Sequence, residues 1–324
     1  MVFHRPLSLI DYYRRGWEAI KDEPADVYHS HDLTTLPIGY IAKRKTGGKL
    51  VYDSHELFTE VVGLRSFERF MFKLMERCLI RRVERVITVN NSIAEVLSKR
   101  YGVELPQVVM NCPSLGDREK PMPANSLRRK LGLPQGMPII LYHGGFSLGR
   151  GLHNLILAAS YLNEGKIVLM GWGKIEQELK DLVKDKGLAD RVLFTEPVLP
   201  SQVAGQVAAA NIGVPLAQNT CLNNYYSISN KFFDYVRAGL PVVTSGFPEL
   251  KRVVEGYHVG KTCNPEDPRD IAAAINWVLA DKDRYEEMRR NALEAAKIFN
   301  WENESKKLLD VYESLESSKD GSAV

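Results

Sequence analysis

Short runs of apolar and β-branched residues alternate with amphipathic stretches along almost the whole chain. Short apolar runs bounded by turn residues are typical of buried strands, and apolar positions three or four residues apart are typical of helices. Their alternation predicts repeated strand–helix units, parallel sheets and helices on both sheet faces. We find no repeat of fixed period, which argues against a solenoid. The predicted fold class is α/β with two Rossmann-like halves.

The predicted elements fall into two series. The first half predicts strands at 26–30, 50–54, 86–89 and 107–111, and helices at 8–20, 33–45, 66–83 and 92–101. The second half predicts strands at 139–143, 167–170, 192–194, 212–215, 242–244 and 260–263, and helices at 152–162, 174–186, 202–210, 230–238, 249–254, 269–279, 284–298 and 302–315. Gly187 and Gly239 are placed to end helices, and Ser201 is placed to begin one.

A segment between the two series, 111–136, is rich in proline, glycine and charge. Such a composition is typical of an interdomain linker. The segment contains one predicted short helix, at 126–131. We therefore expect an interdomain hinge here, with the domain boundary between 120 and 121.

Composition narrows the function classes. The chain has 324 residues, enough for about two domains, and a net charge of +3, which does not suggest nucleic-acid binding. Its cysteines are scattered and form no zinc-binding pattern, as expected of free thiols in a reducing cytoplasm. No apolar run is long enough to span a bilayer, and the first residues contain no secretory signal. We therefore expect a cytoplasmic protein.

A glycine-rich loop follows the predicted strand 139–143 and reads Gly-Gly-Phe-Ser-Leu-Gly-Arg-Gly from Gly144. At a strand–loop–helix junction, glycines such as Gly144 and Gly145 let backbone amides approach a phosphate closely. Arg150 adds a planar cation that can form two hydrogen bonds to a phosphate. The loop lacks the Gly-Lys-Ser/Thr of a P-loop and the spacing of a nicotinamide-binding motif. A tight turn that needs glycine for geometry alone explains the loop equally well.

A polar stretch before the predicted helix 230–238 forms a second candidate phosphate site. Ser229 is placed to cap that helix, and the free amides of its first residues, beginning with Asn230, favour an anion. Lys231 lies in the first turn, where a cation is unfavourable unless an anion is bound. Asp234, one turn further, is placed to accept hydrogen bonds from ribose hydroxyls. A capped helix with surface charges is the alternative, but the length and polarity of the stretch favour a binding site.

Two further loops follow predicted strand ends, where open α/β sheets bind ligands. The first carries Gly171 and Trp172, and its small residues can admit a flat base. Trp172 either stacks on that base or covers the core. The second is the turn Glu-Pro-Val, from which we take Val198 as a candidate contact.

From 139 to 243 the sequence resembles the donor domain of family 4 glycosyltransferases, which have the GT-B architecture. The likeness is carried by Asn-Lys-Phe-Phe-Asp-Tyr-x-x-Ala-Gly-Leu-Pro-Val-Val and by Gly-Gly-Phe-x-x-Gly-Arg-Gly. It extends over nearly the whole chain, including Phe-Asn-Trp-Glu before the last helix, which in that family crosses back to the N-terminal domain. The resemblance implies two Rossmann-like domains facing across a cleft. They are an incomplete N-terminal acceptor domain at 1–120 and a nucleotide-sugar donor domain at 121–300, followed by a crossing helix and tail at 301–324.

The resemblance assigns roles in the donor site residue by residue. Asp234 takes the place of the second acid of the family's Glu-x₇-Glu motif, which binds ribose. Tyr226 takes the place of the first acid, which contacts the donor sugar. Arg150 matches the family's phosphate-binding lysine. Gly145 stands where a phosphate-binding arginine is usual, and Lys231 is expected to replace part of that charge.

The segment Asp-Val-Tyr-His-Ser-His-Asp, which begins at Asp26, resembles the family's Asp-Val-x-His-x-His-Asp, whose second histidine lies near the donor sugar. The resemblance gives His31 an active-site role, a hydrogen bond that positions the donor or the acceptor. From the residues alone, a simpler interpretation explains the segment better: Asp32 caps a helix, and the two histidines are ordinary residues at the end of a strand. His55 and Glu56, at the end of the next predicted strand, are further candidates.

Family members have further strand–helix units before this segment, where the chain offers one predicted helix, 8–20. We expect either an N-terminally shortened chain or a partner chain that supplies the rest. A parallel sheet without its inner strands exposes an unpaired edge. The sequence therefore predicts self-association through 26–111, or low stability there.

The predicted helix 66–83 is basic and amphipathic, which suits peripheral contact with an anionic membrane surface. The alternative is a helix whose apolar stripe packs on the sheet. Glu68, Glu76 and Glu84 interrupt the basic face, so we favour packing on the sheet.

Together, these expectations predict a retaining glycosyltransferase that moves a sugar from a UDP- or GDP-linked donor to a saccharide or lipid-linked acceptor. Catalysis is assigned to His31 and Asp234. We expect no cofactor and no metal site, because such folds neutralise the diphosphate with side chains and helix amides, and the relevant loops contain no Asp-x-Asp motif. Two alternatives stay open: a non-catalytic nucleotide-sugar-binding or scaffold subunit, and an epimerase of the same fold.

Overall fold

The computed structural model describes residues 6–115 and 126–320 and divides the chain into two units. Unit 1 comprises Met1–Asn111, Cys221–Tyr226 and Asn303–Val324, and unit 2 comprises Cys112–Thr220 and Ser227–Glu302. The predicted domain boundary between 120 and 121 lies outside the described residues and stays a prediction.

Unit 1 is built on a sheet of four parallel strands in the order β1-β2-β3-β4. The strands are β1 Val27–His31, β2 Lys49–Ser54, β3 Arg85–Thr88 and β4 Gln107–Val108. The helices are Pro6–Ile20, Asp32–Thr46, Ser66–Leu79, Asn91–Tyr101 and the short Leu222–Tyr226, with 3₁₀ turns at Phe58–Glu60 and Ile80–Arg82. The C-terminal helix Trp301–Asp320 belongs to this unit from Asn303 onward.

Alternate residues of β2 face opposite sides of this sheet, as the two-residue period of a strand requires. Leu50 and Tyr52 pack into one buried cluster with the helices that follow β1 and β3. Val51 packs into a second cluster with Val311 and Leu315 of the C-terminal helix. Both sheet faces are therefore covered, as expected for a parallel sheet.

Unit 2 is built on six parallel strands in the order β10-β9-β8-β5-β6-β7. The strands are β5 Ile139–His143, β6 Lys166–Met170, β7 Val192–Thr195, β8 Ile212–Gly213, β9 Val242–Ser245 and β10 Gly260–Cys263. The helices are Ser126–Lys130, Leu152–Ala158, Glu176–Asp185, Pro200–Val207, Asn230–Arg237, Pro248–Gly256, Pro268–Leu279 and Lys282–Ala296, with a 3₁₀ turn at Ala159–Tyr161.

The strand order of unit 2 reverses at β5, which has β6 on one side and β8 on the other. In doubly wound sheets, ligands bind outside the carboxyl ends of the strands at such a reversal. The fold therefore points to the loop after β5 as the first place to look for a site. The predicted α/β class with two Rossmann-like domains is confirmed.

The structure corrects some predicted helix ends. The helix Pro200–Val207 begins before Ser201, because Pro200 takes the first helical position, which its fixed φ suits. Helices predicted to run to 162 and 83 end at Ala158 and Leu79, where a 3₁₀ turn takes over. Such tightening of the last turn is common at helix ends.

Candidate functional site

The loops after β5 and β6 lie against each other so closely that glycine is required. The N–H of Gly144 donates to the carbonyl of Met170, and the N–H of Phe146 donates to the carbonyl of Trp172. A Cβ atom on Gly171 would lie 2.0 Å from the Gly144 oxygen, and Gly171 has a φ of +154°. The glycines are therefore required by the close approach of the two loops. A ligand role for the backbone amides of the loop is compatible with this geometry.

The Lys231 side chain lies directly over the glycine loop. A Cβ atom on Gly144 would meet Lys231 Cε at 2.4 Å, and Lys231 Nζ lies 5.4 Å from the centre of the Tyr142 ring. Burial and the nearby charge of Arg150 lower the pKa of Lys231 to about 8, although Asp234 acts in the opposite direction. Within 6–115 and 126–320, neither Lys231 nor Arg150 forms an ion pair with a carboxylate. Two neighbouring cations without a paired acid form a site prepared for an anion.

Asp234 lies at the other side of the same helix start. Its Oδ2 is 3.5 Å from His143 Nε2, and its Oδ1 is 3.9 Å from Arg237 Nη2. Burial raises the pKa of Asp234 to about 6, although Arg237 and Lys231 both act to lower it. At neutral pH this carboxylate is ionised and able to accept hydrogen bonds.

His143, the last residue of β5, is a site residue that the sequence analysis missed. Burial, with the charge of Lys231 acting in the same direction, lowers its pKa to about 4, so the ring is neutral at physiological pH. Its Nε2 is buried and has no hydrogen-bond partner among the described residues, although Asp234 Oδ2 lies 3.5 Å away. A polar residue that ends an apolar strand, directly before a glycine loop, was the signal available in the sequence.

The other predicted donor-site residues of unit 2 are more exposed. Trp172 is 67% exposed, so it does not cover the core, and the stacking role remains a prediction. Gly145 and Asn230 are exposed, and Val198 is half-buried. Ser229 occupies the position before the helix Asn230–Arg237, but its side chain makes no capping hydrogen bond, so the predicted cap is wrong.

Tyr226 is grouped with unit 1 rather than with the other predicted donor-site residues. It ends the short helix Leu222–Tyr226, which the sequence analysis did not predict. Its carbonyl accepts a hydrogen bond of 2.9 Å from Asn90 Nδ2, and its ring packs against the buried cluster of unit 1.

A histidine cluster lies at the carboxyl ends of β1 and β2 in unit 1. His29 and His31 are two residues apart on one strand, so they share a face, and Asp53 is the register partner of His31. Three imidazole nitrogens approach Asp53 Oδ2: His29 Nε2 at 3.2 Å, His31 Nδ1 at 3.4 Å and His55 Nε2 at 3.2 Å. Burial acts to raise the pKa of Asp53, but hydrogen bonds from His29 and His55 hold it well below its usual range.

Asp32 has an uncommon backbone conformation for a residue with a side chain. Its φ is 61°, in the left-handed region that costs a non-glycine residue about 1–2 kcal/mol. Its Oδ1 accepts the backbone N–H of His55 at 3.0 Å. His31 rather than Asp32 precedes the helix, so Asp32 as the helix cap is wrong. The carboxylate instead links the ends of β1 and β2 by this hydrogen bond. Backbone strain of the kind seen at Asp32 is typical of functional sites.

Comparisons with known proteins agree with both halves of this description. The family model "Glycosyl transferases group 1" matches residues 124–295, more than half of the chain, and "Glycosyltransferase Family 4" matches residues 1–112. Together with the two units, each built on a parallel sheet with helices on its faces, these matches define a glycosyltransferase of the GT-B type. The chain belongs to the glycosyl transferases group 1 family, and the predicted resemblance to family 4 glycosyltransferases is confirmed.

Relatives and solved structures give the extent of the likeness. The chain is 26% identical to a D-inositol 3-phosphate glycosyltransferase from Xylanimonas cellulosilytica, over 89% of this chain and 71% of the relative. It is 25% identical to the same-named protein from Gordonia bronchialis, over 89% of this chain and 65% of the relative.

The structure of sucrose-phosphate synthase from Thermosynechococcus elongatus matches with a TM-score of 0.81 and 20% identity, covering 98% of this chain and 81% of that one. Anabaena Alr3699/HepE in complex with UDP-glucose matches with a TM-score of 0.75 and 18% identity, covering 98% and 85%. At these identities the solved structures support the fold.

Proposed function

We propose that this glycosyltransferase moves a sugar from a UDP- or GDP-linked donor to a saccharide or lipid-linked acceptor with retention of configuration. A similar structure, Anabaena Alr3699/HepE, is known in complex with UDP and with UDP-glucose, which favours the uridine nucleotide. Because similar proteins are D-inositol 3-phosphate glycosyltransferases, D-inositol 3-phosphate is the first acceptor to test.

The observation that carries the proposal is the cation pair of unit 2. Lys231 and Arg150 lie near each other at the carboxyl end of β5, where the strand order reverses, and no carboxylate is paired with either within the described residues. Like charges repel in a half-buried site, so the arrangement is stabilised when a diphosphate lies between them.

Each site residue has a task in this proposal. Arg150 and Lys231 hold the diphosphate in place of a metal ion, and their contribution grows as negative charge develops on the leaving group. Asp234 accepts hydrogen bonds from the ribose hydroxyls. His31 positions the donor or the acceptor by a hydrogen bond rather than by proton transfer.

A donor and acceptor panel tests the proposal. Calorimetric titration with UDP and GDP identifies the base, and release of the nucleoside diphosphate from a set of nucleotide sugars, with D-inositol 3-phosphate or lipid-linked saccharides as acceptor, measures transfer. The anomeric configuration of the product, read by NMR coupling constants, decides retention. Absence of binding by either nucleoside diphosphate would remove the basis of the proposal.

The pKa of Lys231 predicts a pH dependence of donor binding. With a pKa of about 8 in the free protein, Lys231 loses its proton as the pH rises from 8, whereas UDP stays fully ionised because its last phosphate pKa is about 6. UDP affinity should therefore fall about tenfold between pH 8 and pH 9.5, with proton uptake on binding. Calorimetry in buffers of different ionisation enthalpy measures both effects. In Lys231→Arg the charge no longer titrates, and a pH dependence equal to that of the wild type would assign it to another group.

The helix Ser66–Leu79 carries an exposed apolar stripe, which is relevant to where the protein lies in the cell and to the kind of acceptor it uses. Phe67 and Phe70 are 73% and 63% exposed, and Met71 and Leu74 are 44% and 46% exposed. At i, i+3, i+4 and i+7 these side chains form one continuous line. The helix packs on the unit through another side, on which Phe72 is buried and Met75 contacts the core. The sequence-based expectation that the apolar stripe packs on the sheet is therefore wrong for these four exposed residues.

The acids that the sequence analysis took to interrupt the basic face are engaged elsewhere. Glu76 is buried and accepts hydrogen bonds from two tyrosines, Glu84 pairs with Lys43 at 2.6 Å, and Glu68 accepts the N–H of Arg65. The exposed Arg77 and Arg81 continue the apolar line at one end. We propose that this face lies on an anionic membrane surface, which suits a lipid-linked acceptor. No helix of 6–115 or 126–320 combines the length and apolarity needed to cross a bilayer.

Replacing Phe70 with glutamate should abolish this contact. Wild type should sediment with vesicles of phosphatidylglycerol and phosphatidylcholine but not with phosphatidylcholine alone, and Phe70→Glu should lower partitioning about 10-fold to 100-fold, the scale of one buried aromatic side chain. Ile41→Glu, at a half-exposed position of another unit 1 helix, is the matched control and should sediment like the wild type. Equal sedimentation of wild type and Phe70→Glu would contradict the membrane assignment.

A further inference from the structure

We propose that His29, His31 and Asp53, with His55 beside them, form a binding site for a divalent transition-metal ion of the zinc class. The ligand atoms of His29, His31 and Asp53 all lie within 4.8 Å of one another. His55 Nε2 is a third imidazole nitrogen next to this group, 3.0 Å from His31 Nδ1 and 3.2 Å from Asp53 Oδ2. Imidazole and carboxylate are ligand types that zinc prefers.

The separations measured from Asp53 to the two histidines of this group are close to those expected around a zinc ion. Zinc binds imidazole nitrogen and carboxylate oxygen at about 2.0–2.2 Å, so two ligand atoms at tetrahedral corners lie about 3.3–3.6 Å apart. His29 Nε2 and His31 Nδ1 lie 3.2 and 3.4 Å from Asp53 Oδ2. The third separation, between the ligand atoms of the two histidines, is no more than 4.8 Å.

Hydrogen bonds alone do not satisfy the cluster of neutral rings. Asp53 Oδ2 only accepts, so His55 Nε2 and His31 Nδ1 should both carry hydrogens toward it. Those two nitrogens also face each other at 3.0 Å, where two N–H groups repel. If His31 Nδ1 lacks the hydrogen, its lone pair faces the carboxylate at 3.4 Å instead. An ion between the ligands removes this conflict, because every nitrogen then presents a lone pair.

The second ring nitrogen of His29 has a hydrogen-bond partner of the kind that metal-binding histidines commonly have. This nitrogen, Nδ1, lies 2.6 Å from the hydroxyl oxygen of Tyr312 on the C-terminal helix. A ligating histidine commonly donates this second N–H to an oxygen, which fixes the ring and leaves Nε2 free for the metal. Tyr312 is therefore assigned as a positioning residue of the site.

The sequence analysis expected no metal site. It could not detect this one, because the ligands come from two neighbouring strands and form no short metal-binding motif. A bound ion takes the Nδ1 lone pair of His31, so occupancy and the proposed positioning role of His31 exclude one another. That consequence rests on the proposed function, whereas metal binding itself does not.

Titration with Zn²⁺ and Co²⁺ tests the site on the full chain without a polyhistidine tag. We expect one ion per chain by calorimetry, and an intense visible band of four-coordinate Co²⁺, since geometry determines that spectrum. His31→Ala should lower the affinity more than about 100-fold, and Tyr312→Phe about tenfold, the usual effect of losing a supporting hydrogen bond.

Two variants serve as matched controls, with the fold of each checked by circular dichroism. His153→Gln removes a histidine of unit 2 that pairs with Glu178, and Cys78→Ser removes an exposed thiol; both should bind Co²⁺ like the wild type. Absence of binding, a six-coordinate Co²⁺ spectrum, or equal affinity of folded His31→Ala and wild type would each overturn the proposal.

Discussion

Replacing Arg150 with alanine should weaken binding of UDP by about 1.5–3 kcal/mol, or about 10-fold to 150-fold, the value of a hydrogen bond to a charged group. Arg150 lies in the loop after β5 and acts on the same site as Lys231, whose pKa its charge helps to lower. Without it, one cation must hold the diphosphate. Transfer should fall further than binding does, because the leaving diphosphate carries more charge in the transition state.

Lys184→Ala is the matched control, since it removes an exposed cation of unit 2 on the helix Glu176–Asp185. It should bind UDP like the wild type at the same ionic strength. If Arg150→Ala binds UDP as the wild type does while remaining folded, Arg150 does not belong to the donor site.

Replacing His31 with alanine should lower kcat by about 100-fold, the scale expected when a positioning contact is lost. Its effect on UDP affinity should be small, because the proposed contacts to the diphosphate come from Arg150 and Lys231 and not from His31. His31→Gln, which keeps a hydrogen-bonding side chain, should recover part of the lost rate. Assays with a chelating agent separate this role from metal binding by the same cluster.

The split between kcat and UDP affinity is the diagnostic result for His31. A merely structural role would lower the thermal stability and leave the kcat of the folded fraction unchanged. An unchanged kcat in a folded His31→Ala protein would therefore remove His31 from the reaction.

The sequence was sufficient for the fold because each element carries its own local signal. Apolar runs such as Ile139–His143 are buried throughout and match the structure at both ends. The strand order could not be read in this way, since nothing local in β5 shows that β8 rather than β7 lies beside it. That order places the glycine loop at the reversal of the sheet.

The donor-site motifs were visible for a similar reason: they lie in continuous segments after strand ends. Lys231 and Arg150 are far apart in sequence, and their proximity becomes visible only in the folded unit. His143 was hidden because a histidine at the end of an apolar strand resembles an ordinary strand terminus. Its Nε2 is buried and lacks a partner among the described residues because of packing by side chains distant in sequence.

Misjudged features depended on tertiary contacts. Glu76 looked like an exposed acid on a basic helix, yet it is buried because Tyr52 and Tyr101 both donate to its carboxylate. Tyr226 follows the donor-domain strands in sequence, but its helix packs into the core of unit 1. Periodicity reports that a helix is amphipathic without reporting which face meets the protein.

The most direct test of the central claim compares UDP and GDP with uridine and guanosine by calorimetric titration, in the wild type and in the double variant Arg150→Ala, Lys231→Ala. The account predicts that a nucleoside diphosphate binds far more tightly than its nucleoside, and that the double variant loses most of this difference while retaining its fold. Equal affinity for diphosphate and nucleoside in the wild type, or an unchanged difference in the double variant, would contradict it.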